Sequence, residues 1–222
     1  MPRYDTIIFD LDGTLLDTLN DLHAAVNHAL TEMSFPARSL DQVRQFVGNG
    51  VAKLMERAVP PGTSPEDTTK ALAIFKDWYA RHSMDATAPY PGVPELLQAL
   101  RANGCKTAVV SNKFDGAVKA LMEDFFPGLL DLSAGEDEAH GIPKKPHPAM
   151  VLRCMEALGA DPKATVYVGD SDVDIETAHN AGLPCISVTY GFRDRAFLTA
   201  HGASTFADTP EELLAIINGD TK

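Results

Sequence analysis

Asp10 and Asp12 stand two positions apart, directly after the apolar run Ile7-Ile8-Phe9. Two carboxylates closing a buried strand repel one another, and desolvating them is costly unless a cation, a proton or a reaction compensates. Later in the chain, Ser111-Asn112 ends an apolar stretch, Lys144-Lys145-Pro146 precedes a helical one, and "GDSDVD" at 169–174 supplies Asp170, Asp172 and Asp174. Carboxylates with few neutral ligands suit Mg²⁺, which takes one or two of them together with water and phosphate oxygens. A carboxylate can attack phosphorus, a second can move a proton, and a lysine and a hydroxyl can hold phosphoryl oxygens.

These residues need elements to bring them together. The run 4–9 reads as a strand. Asp17 or Thr18 is placed to cap a helix running to about Met33, with Leu19, Leu22, Val26 and Leu30 at helical spacing. Ser39 opens a second helix, Gly48-Asn49-Gly50 breaks it, and a third runs through Val51, Leu54, Met55 and Ala58. Ser64 with Pro65 opens a fourth, in which Trp78 and Tyr79 read as core. After "PYPG" at 89–92 the pattern alternates. Strands are expected at 106–111, 129–133, 164–169 and 184–188, with helices at 93–102, 114–123, 148–158, 172–181 and 209–217. Alternation of this kind implies right-handed crossovers and a parallel sheet. The first strand is thus separated from its sheet by about 70 mainly helical residues, too many for a loop. The expected organisation is an α/β doubly wound parallel sheet (Rossmann-like core) from 1–17 and 87–222, with a helical cap domain, 18–86, inserted. Parallel sheets bind ligands beyond the carboxyl ends of their strands, where Asp10, Asp12, Ser111, Lys145 and the carboxylates of 169–174 can converge on one rim.

The bulk composition narrows the class. Apolar residues make up 45% of the 222, enough for a core. A net charge of −12 argues against nucleic acid or an anionic membrane surface as partner. No apolar run reaches the length of a membrane span, and the start of the chain lacks a basic-then-apolar leader. Cys105, Cys154 and Cys185 form no close pair, which points to reduced thiols and a cytoplasmic setting.

"DLDGT" at 10–14, "VVSN" at 109–112, "KP" at 145–146 and "GDSDVD" at 169–174 stand in the order found in the haloacid dehalogenase superfamily, which the chain resembles over essentially its whole length. The resemblance implies Asp10 as nucleophile and Asp12 as acid/base. It implies Ser111, Asn112 and Lys145 at the phosphate, and Mg²⁺ on Asp10, the Asp12 backbone carbonyl and Asp170, with Thr14 and Asp174 in support. "QFVGNGVAKLMERAV", "NKFDGAVKALME", "KKPHPAMVLRCMEALG" and "VTYGFR" are similar to bacterial phosphoglycolate phosphatases. Two stretches depart from that pattern: Arg193-Asp194, and the spacer "EDEAHGIPKK". The implied activity is hydrolysis of a small phosphorylated metabolite, 2-phosphoglycolate first, by a monomer or homodimer. Rivals on the same fold are a phosphomutase, cleavage of carbon–halogen or carbon–phosphorus bonds (disfavoured by Asp12) and a non-enzymatic regulator. Substrate choice must lie outside the core motifs, and Arg44, Asn49, Gly50 and Lys53 of the insert are the candidates.

Overall fold

A computed structural model describes residues 2–138 and 141–220; Ala139 and His140 of the departing spacer lie outside the described residues. The apolar run at the start forms β1 (Thr6–Phe9), buried at every position. Then come β2 (Leu16–Asp17), α1 (Leu19–Glu32), α2 (Leu40–Phe46), α3 (Val51–Ala58), α4 (Pro65–His82) and β3 (Ala88–Pro89). The alternating part follows as α5 (Val93–Ala102), β4 (Lys106–Phe114), α6 (Asp115–Phe125), β5 (Leu132–Glu136), α7 (Ala149–Leu158), β6 (Thr165–Gly169), α8 (Asp172–Asn180), β7 (Cys185–Val188), α9 (Arg195–Ala200), β8 (Phe206–Ala207) and α10 (Pro210–Asn218). The chain divides into two compact units, one running up to Leu16 and again from Pro89, the other Asp17–Ala88.

The first unit holds a six-stranded sheet in the order β5-β4-β1-β6-β7-β8. Each of its strand pairings is parallel. The order reverses at β1, so the carboxyl end of β1 is the switch point of a doubly wound α/β sheet. β1 feeds both faces. Ile7 and Phe9 pack with residues of α5, α6 and α10, and Ile8 packs with Met150, Val151, Cys154 and Met155 of α7. A strand covered on both sides has to be apolar throughout, which is why Thr6–Phe9 does not alternate.

The second unit is built of the four helices α1 to α4. Leu22, Ala25, Val26, Ala29 and Leu30 of α1 are buried, as are Leu54, Met55 and Ala58 of α3 and Ala71, Phe75 and Tyr79 of α4. Ser39 and Gln42 form a reciprocal capping box at α2, and Ser64 caps α4 with Pro65 in its first turn. Asp21, buried in α1, accepts hydrogen bonds from the Ala86 N–H at 2.9 Å and from the Thr87 N–H and hydroxyl at 2.8 and 2.7 Å. This carboxylate ties the first helix of the unit to its last residues.

Several local expectations are corrected. Of the two residues expected to cap α1, Asp17 does so through its carboxylate, which accepts the Leu19 N–H at 3.1 Å, while the Thr18 side chain makes no cap bond. Tyr79 is core, but Trp78 is only half-buried and lies in a stack, 5.4 Å from the His28 ring and 4.0 Å from that of His82. β4 runs on past Ser111 to Phe114, and β5 starts at Leu132 and ends at Glu136. The short β2, β3 and β8 and the six-residue α9 had not been foreseen, because elements of that length carry no readable periodicity.

Candidate active site

β1 ends at Phe9, and the chain turns at once. The Leu11 carbonyl accepts N–H groups from Thr14, Leu15 and Leu16, which coils residues 11–16 into a tight loop. Leu11, Leu15 and Leu16 are buried, and they anchor this loop in the core. Gly13 has a φ of +93°, and a Cβ there would overlap the Asp170 carboxylate, so glycine is required on both counts. Asp10 is thereby brought beside the end of β6.

There a buried charge network forms. The Lys145 ammonium lies 2.6 Å from Asp10 Oδ1, 2.8 Å from Asp174 Oδ1 and 3.1 Å from the Tyr167 hydroxyl. Tyr167 donates to the same Asp174 oxygen at 3.1 Å. The other oxygen of Asp174 accepts from the Ser171 N–H at 3.1 Å and its hydroxyl at 2.6 Å. The Asp170 carboxylate accepts the Phe192 N–H at 2.6 Å. Asn112 grips the Lys145 main chain through both ends of its amide, at 2.7 and 3.0 Å. Ser111 is buried, and its hydroxyl accepts the Lys113 N–H at 3.1 Å. Thr14 is fully buried next to the turn, and its backbone carbonyl accepts the Tyr190 hydroxyl at 3.2 Å.

Burial, reinforced by the Asp174 charge and opposed by Lys145, pushes the Asp10 carboxyl up to about 7. Burial, with Asp174 and Asp10 adding to it, also drives Asp170 well above the usual carboxylate range. Burial works against the Lys145 charge, but Asp10 and Asp174 outweigh it and hold the ammonium well above its ordinary value. Lys145 thus reaches two of the three carboxylates and Arg193 only partly offsets the third, so the site is short of positive charge. Asp10, Asp170 and Asp174 each offer an oxygen, and these oxygens lie within 4.8 Å of one another. An all-oxygen donor set with a charge deficit fits a hard divalent cation.

Asp10, Lys145, Asp170 and Asp174 thus cluster, with Asn112 on the Lys145 backbone and Asp12 two residues after Asp10. Its side chain pairs at 2.8 Å with Lys113, a contact not anticipated. Tyr167 and the Phe192 N–H were also missed as site groups. A tyrosine inside an apolar strand was the available signal for the first, since a buried hydroxyl needs a partner. The stretch "VTYGFR" brings Gly191 against Asp170 so closely that a Cβ would overlap the carboxylate. In the helical unit, Arg44 pairs with Asp41 at 3.5 Å and Lys53 with Glu56 at 2.8 Å. The Asn49 side chain accepts from Arg57 at 2.8 Å, and the same guanidinium reaches the Phe46 carbonyl at 2.7 Å, which staples the Gly48-Asn49-Gly50 break.

Residues 7–188 match the family model of haloacid dehalogenase-like hydrolases. The chain belongs to the haloacid dehalogenase-like hydrolases. This hydrolase is 36% identical to a phosphoglycolate phosphatase of Pseudomonas putida strain KT2440, over 99% of this chain and 80% of that one. It is 35% identical to a phosphoglycolate phosphatase of Caulobacter vibrioides, with 96% and 92% covered. Its fold superimposes on the crystal structure of a protein assigned as a phosphoglycolate phosphatase from Lactobacillus delbrueckii subsp. bulgaricus with a TM-score of 0.93, at 36% identity, covering 98% of this chain and 99% of that one. Among the described residues no helix is long and apolar enough to cross a membrane.

Proposed function

We propose that this hydrolase is a Mg²⁺-dependent phosphomonoesterase of the cytoplasm that works through an aspartyl phosphate on Asp10 and prefers 2-phosphoglycolate. The observation that carries the reading is the charge network at the switch point, where the Lys145 ammonium joins Asp10 to Asp174 beside Asp170. Asp10, Asp170 and the Asp12 backbone carbonyl would hold Mg²⁺, with Asp174 behind them; when bound, the ion supplies charge neutralisation and in-line alignment of the phosphoryl group.

An Asp10 carboxylate oxygen attacks phosphorus, and the bond from phosphorus to the ester oxygen breaks. Asp12 delivers a proton to the departing alkoxide. A water then attacks the aspartyl phosphate, Asp12 takes its proton, the bond to Asp10 breaks and inorganic phosphate leaves. Lys145 orients the Asp10 carboxylate and, with the Ser111 hydroxyl and Asn112, meets the phosphoryl oxygens. Asn112 also fixes the backbone from which Lys145 projects. The helical unit Asp17–Ala88 acts as the substrate-selecting cap. The names borne by the relatives support 2-phosphoglycolate as the substrate.

A phosphate-release screen over phosphorylated metabolites, with and without Mg²⁺, tests this. The expected result is Mg²⁺-dependent release, fastest from 2-phosphoglycolate, and loss of turnover in Asp10→Asn. Substantial release by Asp10→Asn, or transfer of the phosphoryl group to a second metabolite without free phosphate, contradicts the reading.

A further inference from the structure

Lys113 has no part in the steps above, yet it is a buried cation at the site. Its side chain is 6% exposed, and its ammonium lies 2.8 Å from Oδ1 of Asp12, itself only 15% exposed. Burying an ammonium is unfavourable without a partner, and ordering four methylenes adds an entropic cost. A lysine in this position has to be explained by what it holds.

The backbone is shaped to deliver it. β4 continues past Ser111 to Phe114, and the Lys113 N–H donates to the Ser111 hydroxyl at 3.1 Å, which keeps the lysine beside the residue where the apolar run stops. The pairing of β4 with β5 shifts register between Val110 and Phe114. Gly135 of β5 makes this possible: a Cβ there would overlap the Asp115 backbone and come within 2.6 Å of the Lys113 carbonyl. The Asp115 carboxylate accepts the Gly135 N–H at 3.0 Å and pins the segment from the other side.

We propose that Lys113 is a positioning residue for Asp12. Its ammonium holds Oδ1 and fixes the bearing of the carboxylate in the tight turn after β1, leaving Oδ2 to face the leaving oxygen. The inference rests on the reading of Asp12 as the group that serves the leaving oxygen. Misplacing such a group by about 1 Å costs roughly 10²-fold in rate.

The test is a double-mutant cycle of Lys113→Met with Asp12→Asn, read as kcat and KM on an alkyl phosphate (2-phosphoglycolate) and an activated aryl phosphate, with Mg²⁺ present. Lys113→Met is expected to lower kcat on the alkyl phosphate by about 10²-fold with KM nearly unchanged, and to affect the aryl phosphate much less. Lys113→Arg, which keeps the charge, should recover part of that loss. In the Asp12→Asn background the Lys113 substitution should cost little more, because the residue it serves is gone. An equal loss in both backgrounds overturns the proposal, as does a rise in KM with kcat preserved, the mark of a lysine that binds substrate directly. If Met at 113 unfolds the chain, the Arg variant carries the same cycle, with coupling supporting the proposal and additivity overturning it. Failure of the reading beneath it is seen separately, in Asp12→Asn alone, as equal slowing of both substrates.

Discussion

At the scale of single residues, the site concentrates like charge at a place where the fold alone gains nothing from it. Asp170 shows this most plainly. Burial and the neighbouring Asp174 and Asp10 drive its carboxyl well above the usual range, and the Phe192 N–H and Arg193 only partly offset them. Residues that cost stability in the free chain and hold a cation in the working one should separate the two properties on substitution. Asp170→Asn is expected to raise the Tm of the chelator-treated chain, by an amount on the order of 1 kcal/mol or roughly 2–4 °C. The same substitution should abolish the rise in Tm that Mg²⁺ gives the unsubstituted chain, a rise worth about 2.7 kcal/mol at a hundredfold excess over Kd. Differential scanning calorimetry with Mg²⁺ and with chelator measures both. A variant that is destabilised without metal, or that still responds to Mg²⁺, would remove Asp170 from the cation site. The buried thiols behave in the opposite way. Burial pushes Cys154 up to about 11, so it should resist alkylation in the native chain at neutral pH, as expected of core packing.

At the scale of elements, what the sequence revealed and what it hid have different physical causes. The ends of β1 and β6 were legible because a long apolar run stops at a residue with no other reason to be there, Asp10 and Gly169-Asp170, whereas Ser111 marks only where the apolar signal of β4 stops, three residues before the strand does. Lys113 was hidden because β4 runs past the point where its apolar signal ends, and the irregular register that turns the lysine toward Asp12 leaves no mark except a glycine in a different strand. Trp78 was misread because helical spacing places a residue near a buried face without saying whether neighbouring side chains cover it. In the helical unit, Arg44 near the end of α2 and Lys53 in the first turns of α3 flank the stapled Gly48-Asn49-Gly50 break. Each pairs with an exposed acid on its own helix, a contact worth no more than about 1 kcal/mol and easily exchanged for a ligand carboxylate. Arg44→Ala or Lys53→Ala should therefore lower kcat/KM for 2-phosphoglycolate by roughly 10–150-fold, while an aryl phosphate without a carboxylate is turned over nearly as before. Equal kinetics of both substrates in both variants would reduce these cations to surface ion pairs and shift attention to Arg193, whose charge acts on Asp170.

At the scale of the whole molecule, the topology accounts for why the chemistry lies where it does. Reversal of strand order at β1 opens a crevice at its carboxyl end, and right-handed crossovers bring the ends of β4 and β6 to either side of it. An acidic chain with a net charge of −12 can hold an anionic ester only where it supplies a local cation, and Lys145 is buried at this crevice. Everything proposed for the site depends on a covalent bond from phosphorus to Asp10. Asp12→Asn offers a way to catch it, because an activated aryl phosphate needs little help in leaving, whereas hydrolysis of the aspartyl phosphate needs a base. The variant should be mixed with aryl phosphate and Mg²⁺, quenched in acid within the first turnovers, digested and analysed by mass spectrometry. The account predicts one phosphoryl group on the peptide carrying Asp10, formed at the rate of the initial burst of phenol. Turnover with no phosphoryl group on that peptide, or with the group on a different residue, would contradict it.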